Sequence, residues 1–428
     1  MNIFQAERKP FYQTVLDNVL FFTGAYRPLG ALVYRVLYAI FGLNALPLRL
    51  LCYGLMLGNL LLLYRAAALI ATREAAALAA LIAAYNFGFV DLYLNSGTIY
   101  DLLCYCFYLS AFVIYVRARR HFAAVFLILY VCALNSKEIA VTLPVVLLLY
   151  ELLLSKERAS KRWAALAIAA LITPLYTWSK LSSASVLAGN DAYRLHLGVR
   201  TYLRAFGRYL ADLAYLPPGS IDITAAAAIL ALLLALALLS RQRTLLFLAL
   251  FIVIAPMPVA FILYRGAYAF YVASFGLFLY IALLLTYIRR VMGRALAGPG
   301  ELTPQANLVL QADTFVFAAI FLVLFHSSRI LPTVSADQNR IQSVLAQMSS
   351  VTAAKLAPRS RILFLDDPFP VDSTDLVYLV LLCRRSPEMT VDRQKKLSTK
   401  LTPEAVKGYD ALFSFQGDKP IQVFSVPN

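Results

Sequence analysis

Residues 223–263 read ITAAAAILALLLALALL-SRQRT-LLFLALFIVIAPMPVAFIL. An uncharged run over 223–239 meets a short connection holding Arg241 and Arg243. A second uncharged run then fills 245–263. A membrane-crossing helix needs about 17–25 mostly apolar residues, because the hydrocarbon core is about 30 Å thick. The stretch therefore reads as two spans joined by a basic turn, and it makes the chain an α-helical polytopic membrane protein.

The same pattern recurs in both directions. Apolar runs at 46–69, 75–90, 98–116, 122–135, 139–154, 163–178, 223–239, 245–263, 268–288 and 311–327 predict about ten spans. The run 29–42 is brief and carries Arg35, so it reads as an interfacial or re-entrant helix. Composition agrees: 61% of the 428 residues are apolar and 14% charged. A soluble domain carries about 45–50% apolar and about 25% charged residues.

The formal net charge is +16. Its placement matters more than its size. The connections 70–74, 117–121, 155–162, 240–244 and 289–294 hold Arg73, Arg117, Arg119, Arg120, Lys156, Arg158, Lys161, Arg162, Arg241, Arg243, Arg289, Arg290 and Arg294. Their only acids are Glu74 and Glu157, so they carry +11 of the +16. They are every second connection, and the positive-inside rule makes them cytoplasmic. The surplus is then a topology signal and argues against nucleic acid as a partner. Residues 1–45, the turns near 91–97, 135–138 and 264–267, the loop 179–222 and the tail from 328 fall on the external side. Long external connections point to function there.

Cys52, Cys104, Cys106 and Cys132 sit in spans and Cys383 in the tail, with no disulfide framework and no metal spacing. His121, His196 and His326 are scattered, and no metal ligand set is expected. The tail, 328–428, reads as a small external α/β domain. Helical periodicity fits 337–350, a buried strand fits 361–365, and short strands fit 412–415 and 421–426. Ser373 is a candidate cap for an apolar helix running to Cys383. Asp366-Asp367 reads either as a metal-binding pair or as a solvated loop after a strand.

Ionisable residues at the membrane edge are costly and so are functional candidates. In Asn135-Ser136-Lys137-Glu138, lysine and glutamate either pair with each other across the turn or form a phosphate clamp with an orienting acid or base. Asp91 ends a span, where an acid gains nothing from the helix dipole. Asp101 starts one, where the dipole favours it. Arg265, among Tyr264, Tyr268 and Tyr271, suits an anionic headgroup or an aromatic belt. On the helix 197–214, Arg200, Arg204 and Arg208 recur every four residues beside a stripe of Leu203, Phe206, Leu210 and Leu213. That is the pattern of an interfacial helix facing lipid phosphates, or of a solvated basic face. Arg27 precedes a rigid Pro28 turn.

Several of these segments resemble one family. Tyr26-Arg27-Pro28-Leu29, then Phe41-Gly42-Leu43-Asn44 and Asn59, are similar to a stretch of polytopic sugar transferases. Asp91 and Asp101 about Gly97 resemble a loop of that family. The run Ser136-Lys137-Glu138 through Pro144 to Tyr150-Glu151 resembles its lysine–glutamate signature. Arg265, Tyr268 and Gly276 resemble a later pattern. The family is the membrane O-mannosyltransferases with tetratricopeptide tails and their bacterial relatives, of the GT-C glycosyltransferase class. The likeness runs over about 4–288.

The resemblance implies transfer of a sugar from a polyprenyl-phosphate donor, on the periplasmic face of a bacterial inner membrane. The acceptor would be a protein, lipid or glycan, and membrane lipids are further partners. It assigns Lys137, Arg265, Arg27 and Tyr268 to donor phosphate, and Asp91, Glu138 and Asp101 to catalysis. No cofactor is assigned with it, and a divalent metal is left open. There are departures. Relatives place a span and an acidic pair before the segment matching Phe4, where this chain begins. Met56 stands for a family histidine, Asn86-Phe87 for a His-Pro pair, and no repeats follow. The expectation is a chain that starts one span late, or a degenerate transferase. A lipid-linked-sugar flippase, polymerase or transporter is the rival reading, as is a non-catalytic scaffold.

Overall fold

The computed structural model describes residues 10–23, 25–42, 44–118, 121–156, 160–182, 194–217, 219–297, 305, 310–324, 326, 343–369, 371, 375–384, 386, 388–397, 406–417 and 419–425. Arg119, Arg120, Arg158, Glu157 and the candidate cap Ser373 lie outside them. The chain forms two compact units. One comprises 12–33 and 44–329; the other comprises 1–11, 34–43 and 330–428. The segment bearing Arg27 thus belongs to the helical unit.

The helices are α1 (Phe11–Val19), α2 (Pro28–Phe41), α3 (Ala45–Ile70), α4 (Arg73–Ala84), α5 (Val90–Leu94), α6 (Ile99–Arg117), α7 (Phe122–Ser136) and α8 (Leu143–Leu153). There follow α9 (Ser160–Ser182), α10 (Val199–Leu213), α11 (Ile223–Leu239), α12 (Arg243–Ile254), α13 (Met257–Ala260), α14 (Tyr271–Ala297) and α15 (Leu310–Leu324). Side-chain caps fix several starts. Asn44 accepts from Leu46 N at 3.0 Å, Thr72 from Ala75 N at 3.2 Å, and Asp222 from Ala225 N at 2.7 Å. Each satisfies a donor that the first turn leaves open.

Among the described residues four helical stretches are long and apolar enough to cross a membrane: Leu46–Ile70, Ile99–Arg117, Arg243–Ala260 and Ala267–Gly293. α2, α7, α11 and α15 are shorter apolar helices. Other hydropathy-defined runs break for local reasons. The run 75–90 stops at Ala84, because the Asn86 side chain accepts from Gly88 N at 3.0 Å and donates to Leu213 O at 3.0 Å, turning the chain. The run 139–154 opens with a 3-10 turn, Glu138–Thr142, before Pro144 starts α8. Proline costs little there, since first-turn N–H groups lack intrahelical partners.

Three of the basic connections, 70–74, 240–244 and 289–294, meet at one end. Arg289 bridges Glu74 at 2.7 Å, Arg290 lies 3.8 Å from the same carboxylate, and the Thr244 hydroxyl donates to Ile70 O at 3.2 Å. The other end of these helices carries the candidate site: Asp101 opens the 19-residue α6, and Arg117 closes it. At about 1.5 Å per residue, the helix separates its ends by roughly the hydrocarbon thickness. Between them the core is aromatic and close-packed. Tyr105 stacks on Tyr271 with ring centroids 4.1 Å apart, and buried Asn59 donates to Leu102 O at 3.0 Å.

In the second unit, β1 (Arg361–Phe364), β2 (Thr390–Arg393), β3 (Ala411–Gln416) and β4 (Lys419–Ser425) form one sheet in the order β2-β1-β3-β4. β1 pairs parallel with β2 and β3, and β3 pairs antiparallel with β4. Helices α16 (Ser349–Ala353) and α17 (Asp375–Arg384) supply Val351, Leu376 and Val380 to a core with Phe364 and Phe413. The doublet Asp366-Asp367 is not a uniformly solvated loop. Asp366 is exposed, but Asp367 is buried and held by Arg393, Nε to Oδ2 at 3.0 Å and Nη2 to Oδ1 at 2.6 Å. Each of its oxygens accepts from that guanidinium, and Oδ1 accepts from Phe369 N as well, at 2.9 Å.

Candidate functional site

Four charged side chains from three separate segments converge at the end of the helical unit opposite the basic connections. Lys137 caps α7 in extended conformation, φ −160° and ψ 147°. That conformation points the Lys137 and Glu138 side chains apart, so they do not pair across the turn. Lys137 Nζ instead donates to Asp101, with both side chains about 5% exposed. Glu138 accepts from Arg27, Nε to Oε1 at 3.1 Å and Nη2 to Oε2 at 2.8 Å. Burial alone would raise the Glu138 carboxyl, but the Arg27 charge and its hydrogen bonds outweigh it and hold the group below its ordinary range.

Arg27 is flanked by rings, its guanidinium carbon 4.6 Å from the centre of Tyr26 and 5.4 Å from that of Tyr100. Lys137 Nζ lies 5.6 Å from the Tyr268 ring centre. Two cations, two carboxylates and three tyrosines thus form one cluster. Its cations differ in access: Lys137 is 6% exposed and Arg27 11%, while Glu138 is 26% exposed. The Arg27–Glu138 pair is thus the more exposed of the two ion pairs.

Gly30 makes room for this arrangement. A Cβ there would sit 2.2 Å from the Tyr100 ring. Overpacking of this kind costs about 1–3 kcal/mol. Gly30→Ala is therefore expected to lower the thermal midpoint; an unchanged midpoint in a thermal scan would contradict the packing.

Beside the cluster lies a cavity of about 310 Å³ lined by Asp91, Asp212, Tyr215, Tyr264 and Gly266, among others. Gly266 adopts φ +106°, which turns the 261–270 segment. Burial raises the Asp91 carboxyl. Asp212 is raised by burial against the opposing Arg208, with Asp91 adding to the rise. Arg265 lies in sequence between Tyr264 and Gly266, both of which line the cavity, and within electrostatic reach of Tyr268 and Tyr209.

The sequence candidates therefore divide. Arg27, Asp101, Lys137, Glu138 and Tyr268 come together, and Asp91 lines the adjoining cavity. Arg200 and Arg204 are exposed on α10, whose Phe206, Tyr209, Leu210 and Leu213 are buried within the protein. Arg208 is also exposed, with its guanidinium carbon 4.8 Å from the Tyr264 ring centre. Asp212 and Lys180 were missed. Lys180 carried a signal, a charge ending an apolar run. Asp212 carried none, being one acid on a basic helix. Among the described residues no group of three or more His, Cys, Asp or Glu side chains is placed to hold a metal ion.

No curated protein matches the chain. Residues 26–178, a little over a third of it, match the family model described as dolichyl-phosphate-mannose-protein mannosyltransferase, a stretch that includes Arg27, Asp91, Asp101, Lys137 and Glu138.

Proposed function

We propose that the protein transfers a sugar from a polyprenyl-phosphate donor to a hydroxyl acceptor at the outer face of a membrane. The observation that carries this reading is the convergence of Arg27 and Lys137, both inside the matched stretch, on one cluster at the membrane edge. In this reading α4, α7, α8, α9, α11 and α15 join the four long stretches to make about ten spans, the basic connections are cytoplasmic, and the sheet unit is external in a bacterial inner membrane.

Arg27, Lys137 and Arg265 hold the donor phosphate, whose charge grows as the sugar–phosphate bond breaks; fixed cations stabilise that charge. The acceptor oxygen attacks the anomeric carbon, its proton passes to Asp91, and polyprenyl phosphate leaves with the bonding pair. Asp101 and Glu138 serve as partners of the cations. They are poor bases here, because each is engaged by a cation.

A group must be deprotonated to act as base, so a raised Asp91 carboxyl makes activity fall with acid at a pH above the ordinary carboxylate range. A general base contributes roughly 10²–10⁴-fold. Asp91→Asn in proteoliposomes is expected to lower transfer at least that far and to abolish the acid limb of the pH profile. Transfer within twofold of wild type would remove Asp91 from the mechanism.

One observation favours a second reading, a binding or scaffold protein: both cations already have carboxylate partners. Such a protein would bind polyprenyl phosphate without consuming the sugar donor.

A further inference from the structure

Arg27 reaches the cluster on the segment that joins α1 to α2, and half-buried Asn18 with buried Asn135 and Lys180 clamp that segment. Asn18 Nδ2 donates to Thr14 O and Pro28 O, each at 2.9 Å, and so ties the two ends of the 18–28 loop. Asn135, buried at the end of α7, donates to Asn18 O at 2.8 Å. Lys180, near the end of α9 and 5% exposed, donates to Thr23 O at 3.0 Å and also to Ala25 O. Its Nζ lies 5.1 Å from the Tyr176 ring centre. The residue so delivered, Arg27, holds φ +45°, a backbone state that non-glycine residues rarely adopt. Such a state persists only where the surroundings over-determine it.

We propose that Lys180 is a positioning residue for anion binding: by holding the Thr23 and Ala25 carbonyls it aims Arg27 at the donor phosphate. The chemistry supports this over simple packing. Burying an ammonium is costly, and an apolar side chain would fill the same space without that cost. What the ammonium adds is three directed donors, two of them spent on the backbone just ahead of Arg27. A cationic anion site gains most from being fixed before the anion arrives, since it then needs no reorganisation on binding. The Asn135-Ser136-Lys137-Glu138 run thereby acquires a common purpose. Asn135 anchors the loop, Glu138 receives its arginine, and Lys137 supplies the second cation.

This inference rests on the phosphate-site reading above, and its test separates the two. The full chain is placed in phosphatidylcholine nanodiscs, and binding of polyprenyl monophosphate is measured. Lys180→Met is expected to weaken binding by about tenfold or more, and Lys180→Arg to restore most of it. A residue acting only through another is non-additive with it. In an Arg27→Ala background, Lys180→Met should therefore add no more than about twofold. Additive losses, or unchanged affinity in Lys180→Met, would overturn the assignment. Lys180→Gln, which keeps an uncharged N–H donor group for the carbonyls on a shorter side chain, covers the case in which the methionine variant does not fold. An intermediate loss is expected, and none would overturn the proposal. Hydrogen exchange of the 20–27 amides gives a readout without ligand. If wild type binds no polyprenyl phosphate, the phosphate-site reading fails. The clamp then stands if exchange quickens in Lys180→Met, and falls if it does not.

Discussion

Lys137→Ala is expected to destabilise the helical unit by about 3–5 kcal/mol, the usual cost of stranding one partner of a buried ion pair. Asp101, 5% exposed, would keep a charge with its nearest cation gone. A thermal scan in detergent measures this. The double variant Lys137→Met with Asp101→Leu should recover much of the loss, since an apolar pair of similar volume is often neutral or stabilising. Donor binding should stay impaired in the double variant, because stability returns without the cation. Recovery of both would mean that Lys137 is a structural residue and that the phosphate assignment is wrong.

The second large effect lies in the sheet unit. Arg393 is 1% exposed and spends its guanidinium on Asp367 and on Phe369 O at 3.0 Å and Val371 O at 3.4 Å. Arg393→Ala leaves the Asp367 carboxylate, itself 0% exposed, buried without its guanidinium partner. A loss of about 3–5 kcal/mol is expected, read as early exchange of the β1 and β3 amides on heating. Arg393→Lys keeps the charge but loses the planar fork, and should fall between. Calcium or magnesium should not raise the midpoint of either variant; a rise would revive a metal role for Asp366-Asp367.

The two pairs also show where sequence reading stops. Apolar runs mark α3, α6, α12 and α14 because lipid or core surrounds them on every side, and no pairing information is needed. β1 and β3 were legible for the same reason, as apolar runs with buried flanks. β2 was not: Thr390-Val391-Asp392-Arg393 is half charged, and its place in the sheet depends on Arg393 meeting Asp367, 26 residues earlier. The site behaves alike. Lys137 and Glu138 could be singled out, since charges at a membrane edge need a reason. Their partners could not, because Glu138 meets Arg27 across 111 residues and Lys137 meets Asp101 across 36. Neighbours in sequence turned out to have separate partners, set by the extended backbone of Lys137.

α10 gives the complementary lesson. Its basic repeat and apolar stripe fit a helix lying on lipid. The same stripe also fits a helix docked on protein, and there Gly207 allows the close approach: a Cβ would lie 2.6 Å from Ile221 O. Amphipathicity states that one face is covered, and leaves open by what.

The central claim is that Arg27 and Lys137 hold a polyprenyl phosphate whose sugar is transferred. The direct measurement is turnover of a labelled polyprenyl-phosphate hexose by the full chain in proteoliposomes, with a membrane extract supplying acceptors. The account predicts label leaving the polyprenyl carrier with wild type, and at least about 10²-fold less with Arg27→Ala. Wild type that binds the carrier yet releases no label, or an Arg27→Ala variant that releases it as fast as wild type, would contradict it.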